Sequence, residues 1–311
     1  MSGPVEPTLL ERALGAYLGL AVGDALGATV EFLTATEIRQ QYGELRDIVG
    51  GGWLKLKAGQ VTDDTQMSLA MGAALLESGG WDLRNIAEHW LAWLKTKPID
   101  VGNTCRRGLV RFGRDGSLEA PFSDGDAGNG ALMRNLPTIL FAFRDAGLLT
   151  RCSIEQAHVT HHHPFSDAAT LCIAHMVALL LHGGHWRDQL RTLRGLAKEL
   201  VETHRQFRFE PYPKRATAYV VDTTQTVLHG FFSTDSFESC LVTTVNQGAD
   251  ADTTGAIAGM LAGAYYGVDA IPSRWLRRLD AGVRREIERQ VPALLALCAN
   301  GRVGEGSPGR A

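Results

Sequence analysis

Two short acidic clusters contain the side chains with the most evident chemistry. Residues 61–65 read VTDDT and residues 248–254 read GADADTT. A run with helical hydrophobic spacing follows each cluster at once, over 67–76 and 256–265. Carboxylate and hydroxyl oxygens are the ligands that hard divalent cations prefer. We therefore predict that the two clusters, far apart in sequence, converge on one oxygen-rich metal site.

Helix capping is the alternative explanation for either cluster taken alone. Thr62 or Asp63 could be an N-cap, and so could Asp252 or Thr253, because such side chains accept hydrogen bonds from helix N–H groups. Capping needs only one or two of these side chains, however. Several carboxylates packed closely without a cation repel one another. The occurrence of both clusters therefore favours a metal site.

The remaining sequence predicts helices that would position these clusters. Alternating or β-branched runs bounded by turns are rare, so a sheet-based fold is not expected. Gly/Asp-rich or proline-containing loops are predicted at 43–60, 113–130 and 205–215. Apolar residues at three- and four-residue spacing predict further helices over 83–95, 166–182, 186–204, 217–231 and 274–289.

Two glycine series predict a close contact between helices. In both series the glycines recur every four residues, so they lie on nearly one face of a helix and let another backbone approach. We interpret them as structural packing. The series are Gly15, Gly19, Gly23 and Gly27, and Gly255, Gly259, Gly263 and Gly267.

Composition is uniform over residues 10–298, which predicts one all-α domain there and a disordered tail over 299–311. The net charge of −3 gives no basic field for nucleic acid. Five scattered cysteines without a CxxC motif indicate reduced thiols in a cytoplasmic protein. The apolar stretch 13–23 is too short to span a bilayer and runs into Asp24, so no transmembrane segment is predicted.

Five motifs, taken in order, resemble those of the ADP-ribosylglycohydrolases. They are GLAVGDALG at 19–27, TDDT at 62–65, GNGALMR at 128–134, Thr160-His161, and DADTTGAIAG at 250–259. The resemblance covers about residues 12–298 and implies a compact orthogonal helical domain with a binuclear metal cleft. Segments 99–104 and 123–130 look most like the bacterial dinitrogenase reductase-activating branch of that family.

The resemblance implies which side chains bind the metal. They come from both acidic clusters and would hold two Mn²⁺ ions, with Mg²⁺ as a possible substitute. Carboxylate and hydroxyl oxygens suit both ions, and no thiolate or imidazole cluster indicates zinc. The implied ligands are Thr62, Asp63, Asp64, Asp250, Asp252 and Thr253.

Asp100 and Glu31 are the candidate catalytic acids or bases. Asp100 lies in a loop between Pro98 and Gly102, and Glu31 follows the first glycine-rich helix. By the resemblance, Asp100 contacts the reacting ribose, and either carboxyl group could act as acid or base. The alternative for each is a solvated surface acid, the usual location of Asp and Glu.

The resemblance also implies substrate contacts on several loops. Asp126 departs from the small hydroxyl residue expected there, and it would repel a phosphate unless it turns away or binds ribose. Tyr212 could stack on adenine or simply pack in the protein. His162 and His163, unlike His161, are predicted to be structural or exposed. The candidate substrate-binding residues are Gly102, Asn103, Thr104, Gly125, Asp126, Asn129, Gly130, His161 and Tyr212.

The function implied is metal-dependent removal of ADP-ribose from an arginine side chain of dinitrogenase reductase, which would restore nitrogenase activity. The resemblance further suggests control by a PII-type signalling protein, with reversible membrane association through that partner, and we expect a monomer. Alternatives are a hydrolase of another linkage, such as ADP-ribosyl-serine, O-acetyl-ADP-ribose or a nucleic-acid end, and a non-catalytic ADP-ribose reader. Two complete acidic clusters disfavour the reader, because binding alone does not require two activating ions.

Overall fold

A computed structural model describes residues 6–299, and every long element in that range is an α-helix. The only β pairing among the described residues consists of three isolated bridges. The predicted all-α fold is therefore confirmed, whereas the predicted tail over 299–311 lies outside the described residues except for Ala299. The helices are α1 (Leu9–Gly27), α2 (Ala35–Tyr42), α3 (Asp63–Ser78), α4 (Leu83–Lys95), α5 (Asn103–Asp115), α6 (Gly130–Met133), α7 (Leu136–Ala142), α8 (Ala146–His158), α9 (Pro164–Leu181), α10 (Trp186–Thr203), α11 (Val220–Ser233), α12 (Phe237–Val245), α13 (Ala251–Tyr266), α14 (Ser273–Arg278) and α15 (Ala281–Ala299).

The glycine faces of α1 and α13 pack directly against each other at the centre of the protein. A Cβ added to Gly19 would lie 2.2 Å from the carbonyl oxygen of Gly259, and one added to Gly23 would lie 2.0 Å from that of Gly255. No side chain larger than hydrogen fits at such distances. The predicted close packing is confirmed, and it brings the end of α1 beside the start of α13.

The predicted helix over 274–289 is wrong, because α14 and α15 are separate. The break falls at Asp280, whose backbone N–H donates to the carbonyl oxygen of Gly59 at 2.9 Å. Its carboxylate accepts from the N–H groups of Gly282 and Val283 at 2.8 and 3.0 Å. Asp280 therefore caps α15 and anchors the junction to the loop before α3.

Helix α9 is the one described helix long and apolar enough to cross a membrane by length and composition. It is flanked in sequence by α8 and α10, and 61% of it is buried inside the protein. Because a core helix of a soluble protein passes the same test, this is weak support for a membrane span.

Candidate active site

The first turns of α3 and α13 meet, so the two acidic clusters lie together. The Thr253 hydroxyl donates to Oδ2 of Asp64 at 3.2 Å, across 189 positions of the sequence. Thr62 is the N-cap of α3, and Asp250, rather than Asp252 or Thr253, is the N-cap of α13. Neither N-cap side chain makes a capping hydrogen bond. Helix capping therefore does not account for these residues.

Asp24 supports the first cluster from the interior, a role that was not predicted from the sequence. Its fully buried carboxylate accepts from the N–H and hydroxyl of Thr62 at 3.0 Å each, and from those of Thr65 at 3.2 and 2.5 Å. Burial raises the pKa of Asp24 to about 6, although the threonine hydrogen bonds lower it. An acid inside the glycine-rich run 19–27 was the available signal.

Five carboxyl groups from four separate segments line one cavity of about 450 Å³. Oxygen atoms of three of them, Glu31, Asp100 and Asp252, lie within 4.8 Å of one another. Burial raises the pKa of Glu31 to about 8 and that of Asp63 to about 7, and the negative charge of Asp100 adds to both shifts. The remaining lining acid is Asp250, whose pKa burial raises to about 6. Without a positive charge nearby, this arrangement is electrostatically unfavourable.

The donor set fits divalent metal ions. Oδ1 of Asp64 is buried and has no hydrogen-bond partner. Neither lysine nor arginine is among the described residues that line the cavity. Burial, and next the charge of Arg134, hold the pKa of His161 well below its usual range. The cavity thus offers oxygen ligands and excess negative charge, as hard cations require.

Two predicted substrate-binding residues also support the acids. The Asn129 amide donates to Oδ2 of Asp250 and to the Thr223 hydroxyl, the latter at 2.9 Å. The Gly102 N–H donates to Oδ2 of Asp63 at 3.0 Å, which ties the loop containing Asp100 to α3. Most of the predicted substrate-binding set lines the cavity, namely Gly102, Asn103, Thr104, Asn129, Gly130 and His161.

Gly125, Asp126 and Tyr212 do not line the cavity. Asp126 is buried and paired with Arg107, which compensates its negative charge. The Tyr212 ring stacks on His229 with centroids 4.3 Å apart, and its hydroxyl bonds that of Thr226 at 2.9 Å. The Tyr212 ring thus packs against a neighbouring side chain, and its stacking on adenine stays a prediction.

Phe32 and Trp53 line the cavity, although neither was predicted from the sequence. The indole N–H of Trp53 donates to Oε2 of Glu31 at 2.6 Å. The triple glycine at 50–52 is a signal for a tight turn just before Trp53. Sequence alone could not place that turn beside Glu31.

Comparison with known proteins gives one consistent result. The family model described as ADP-ribosylglycohydrolase matches residues 5–303. The chain is 58% identical to the ADP-ribosyl-[dinitrogen reductase] glycohydrolase of Rhodospirillum rubrum, over 94% of this chain and 98% of that protein. It is 31% identical to the ADP-ribosylarginine hydrolase Tri1 of Pseudomonas putida, over 87% of this chain and 74% of that one. A solved structure of an ADP-ribosylglycohydrolase-related protein complex superposes with a TM-score of 0.80 at 35% identity, covering 93% of this chain and 99% of its own.

Proposed function

The chain belongs to the ADP-ribosylglycohydrolase family, and we propose that it hydrolyses the N-glycosidic bond between ADP-ribose and an arginine side chain of dinitrogenase reductase. The observation that carries this proposal is the 58% identity, over nearly the whole of both chains, to a glycohydrolase of that target. The second relative, named as an ADP-ribosylarginine hydrolase, agrees on the arginine linkage. Release of ADP-ribose would return dinitrogenase reductase to its active form.

The two acidic clusters are the proposed metal ligands. Thr62, Asp63 and Asp64 would hold divalent ions from the start of α3, together with Asp250, Asp252 and Thr253 around the start of α13. We propose manganese, with magnesium as a substitute, because both ions take oxygen ligands. Such ions supply positive charge that favours ionisation of water and binds hydroxyl oxygens of the substrate.

Glu31 and Asp100 are the proposed acid–base pair. In the overall reaction, the oxygen of water bonds to the anomeric carbon, the carbon–nitrogen bond breaks, and the guanidine nitrogen leaves with a proton. Burial raises the pKa of Glu31 to about 8, so its carboxyl group can carry a proton near neutral pH. Burial also raises the pKa of Asp100. The Trp53 hydrogen bond fixes Glu31, and the Gly102–Asp63 bond steadies the Asp100 loop.

The location and partners of the enzyme are further parts of the proposal. We propose a cytoplasmic monomer regulated by a PII-type signalling protein, with membrane association only through that partner. The family resemblance supports the regulatory partner. Gel filtration tests the monomer and the partner separately. The protein alone should elute at the volume of a monomer, and it should elute earlier when a PII-type protein is added and a complex forms.

The test of the function is release of ADP-ribose from arginine-ADP-ribosylated dinitrogenase reductase. We expect release with Mn²⁺, loss of release with EDTA, and recovery when Mn²⁺ is restored. A serine-ADP-ribosylated peptide serves as the linkage control and should be cleaved far more slowly. Rapid cleavage of the serine linkage with none at arginine would contradict the proposal.

A further inference from the structure

Two aromatic rings stand at the mouth of the acidic cavity. Phe32 is 63% exposed and Trp53 is 53% exposed, although both line the cavity. Their ring centroids are 5.2 Å apart and their planes are tilted by 48°. Partial exposure gives up much of the stabilisation that a large ring contributes when it is buried.

The position of Phe32 costs the fold conformational free energy as well. Its φ of 64° lies in the left-handed region, which a bulky side chain rarely adopts. The Phe32 N–H donates to the carbonyl oxygen of Ala249 at 2.6 Å, and the Ala249 N–H donates to that of Leu33 at 2.7 Å. This pairing fixes the backbone of Phe32 beside Ala249, the residue before Asp250. A glycine would adopt the same backbone without strain, so the feature that the strain maintains is the ring itself.

Trp53 is likewise held in a defined place. It follows three glycines with positive φ, and the N–H groups of Gly51 and Leu56 each donate to the other's carbonyl oxygen, at 2.8 and 2.9 Å. A Cβ on Gly52 would lie 2.4 Å from the carbonyl oxygen of Ala28, so this small hairpin presses against the end of α1. The indole N–H then reaches Glu31. The hairpin therefore fixes the backbone of Trp53, and the hydrogen bond to Glu31 fixes its indole ring.

Exposed aromatic faces above buried carboxylates are suited to a planar organic cation. A guanidinium group is flat, delocalised and more weakly hydrated than an ammonium group, and it stacks on aromatic rings. The acids below the rings attract a positive charge, and neither lysine nor arginine among the described lining residues competes for them. A neutral serine side chain would gain nothing from either feature.

We propose that Phe32 and Trp53 bind the guanidinium group of the modified arginine and thereby select the arginine linkage. The inference rests on the proposed function and deepens it by assigning the leaving-group site to named residues. Trp53 has a second role as a positioning residue, because its N–H holds the carboxylate of Glu31. Phe32 has no polar atom on its side chain, so its contribution is to binding alone.

Two conservative variants separate these roles, and a third serves as control. Phe32→Leu keeps an apolar side chain but removes the aromatic face, and Trp53→Phe keeps a ring but removes the donor to Glu31. Phe122→Leu is the matched control, because Phe122 is 57% exposed and stacks with His163 outside the cavity lining. The melting temperature of each variant should first be measured to show that it is folded.

Steady-state kinetics should be measured on a small ADP-ribosyl-arginine substrate and on the modified protein. We expect the two variants to change different constants, KM in one and kcat in the other. For Phe32→Leu we expect KM to rise roughly tenfold on both substrates, in the range of one lost cation–π contact. For Trp53→Phe we expect kcat to fall more than KM rises. Inhibition by free ADP-ribose, which lacks the guanidinium, should change less than about twofold in either variant, and Phe122→Leu should match the wild type.

A binding measurement keeps this inference separate from the proposed function. Protein saturated with ADP-ribose and Mn²⁺ is titrated with ethylguanidinium, with ethylammonium as control, by calorimetry. We expect tighter binding of ethylguanidinium in the wild type and loss of that preference in Phe32→Leu. This preference would support the guanidinium site even if the wild type released no ADP-ribose from arginine, which would overturn only the proposed function.

Two results would overturn the inference. One is an unchanged preference for ethylguanidinium over ethylammonium in Phe32→Leu. The other is a loss of affinity for the modified protein with none for the small substrate, since the rings would then contact the protein surface rather than the arginine.

Discussion

Asp252 lies where the charges of the cavity converge, since one of its carboxylate oxygens is within 4.8 Å of oxygens of Glu31 and Asp100. Burial raises its pKa well above the usual range, and the charge of Asp250 is the next cause. A side chain in this position requires a proton or a cation to be stable. We infer that a metal ion supplies the positive charge.

Asp252→Asn should abolish turnover and weaken Mn²⁺ binding, because it removes an anionic ligand while preserving shape. The loss in affinity should be at least about tenfold, as for a metal-site ligand or its supporting partner. Equilibrium dialysis with Mn²⁺ and the ADP-ribose release assay measure the two effects. Asp82→Asn is a suitable control, because Asp82 caps α4 on the surface and asparagine caps equally well. Wild-type activity in Asp252→Asn would show that the cluster is not the metal centre.

Asp24→Asn should destabilise the protein even though Asp24 does not line the cavity. The N–H and hydroxyl groups of Thr62 and Thr65 donate hydrogen bonds to the Asp24 carboxylate. Asparagine offers only one acceptor oxygen, and its NH₂ group would face some of these donors. We expect a loss of about 2–4 kcal/mol in the free energy of unfolding, as for a broken buried hydrogen-bond network. Urea unfolding measures it, and a change below about 0.5 kcal/mol would contradict the supporting role of Asp24.

Which residues could be predicted from sequence depends on how local their signal is. The acids of 62–65 and 250–253 form compact motifs at helix starts, so their types and spacing are visible in the chain. Asp24, Phe32 and Trp53 act through contacts that exist only after α1, α3 and the 50–56 hairpin have packed. Tyr212 illustrates the opposite case, because an aromatic residue in a loop carries no sign of which ring it will stack on.

At the scale of elements, the contact between α1 and α13 fixes the site. Both helices expose glycine backbones to each other, and the positions just beyond their contact carry Glu31 and Asp250. Four-residue glycine spacing predicts this contact because it depends on one helix face. The break between α14 and α15 was not predictable in that way, because Asp280 ends one helix and caps the next through a bond to distant Gly59.

Gly23→Ala should be strongly destabilising, because the new Cβ would lie 2.0 Å from the carbonyl oxygen of Gly255. Either the helices separate or the site distorts, and we expect a loss of about 2–4 kcal/mol together with weaker Mn²⁺ binding. Thermal or urea unfolding with a parallel Mn²⁺ titration measures both.

Gly195→Ala is the matched control for that change. Gly195 lies in α10, and an added Cβ would meet no atom within 4 Å. Alanine should therefore stabilise the protein by about 0.5–1 kcal/mol through its helix propensity. Equal effects of the two substitutions would contradict close packing between α1 and α13.

At the scale of the whole molecule, the cavity links stability to pH and metal. Burial raises the pKa of Asp24 and Asp250 to about 6, of Asp63 to about 7 and of Glu31 to about 8 in the metal-free protein. A carboxyl group whose folded pKa is raised favours the folded state at pH below its ordinary pKa. That contribution is lost as pH rises through the folded value.

Metal-free protein should therefore lose stability between about pH 5 and pH 8 as these acids ionise against one another. Bound Mn²⁺ would compensate their charge, so the gain in melting temperature on adding Mn²⁺ should be larger at pH 8 than at pH 6. Thermal unfolding with Mn²⁺ and with EDTA at both pH values measures this difference. A gain that does not depend on pH would mean that the carboxylates do not hold the ion.

The most direct test of the central claim, that both acidic clusters form one metal centre, is the anomalous scattering of Mn²⁺-loaded crystals. We predict two manganese peaks in the cavity, bonded jointly by Asp63 or Asp64 of the first cluster and Asp250 or Asp252 of the second. Peaks bonded by one cluster alone, or manganese only at another place on the protein, would contradict the claim.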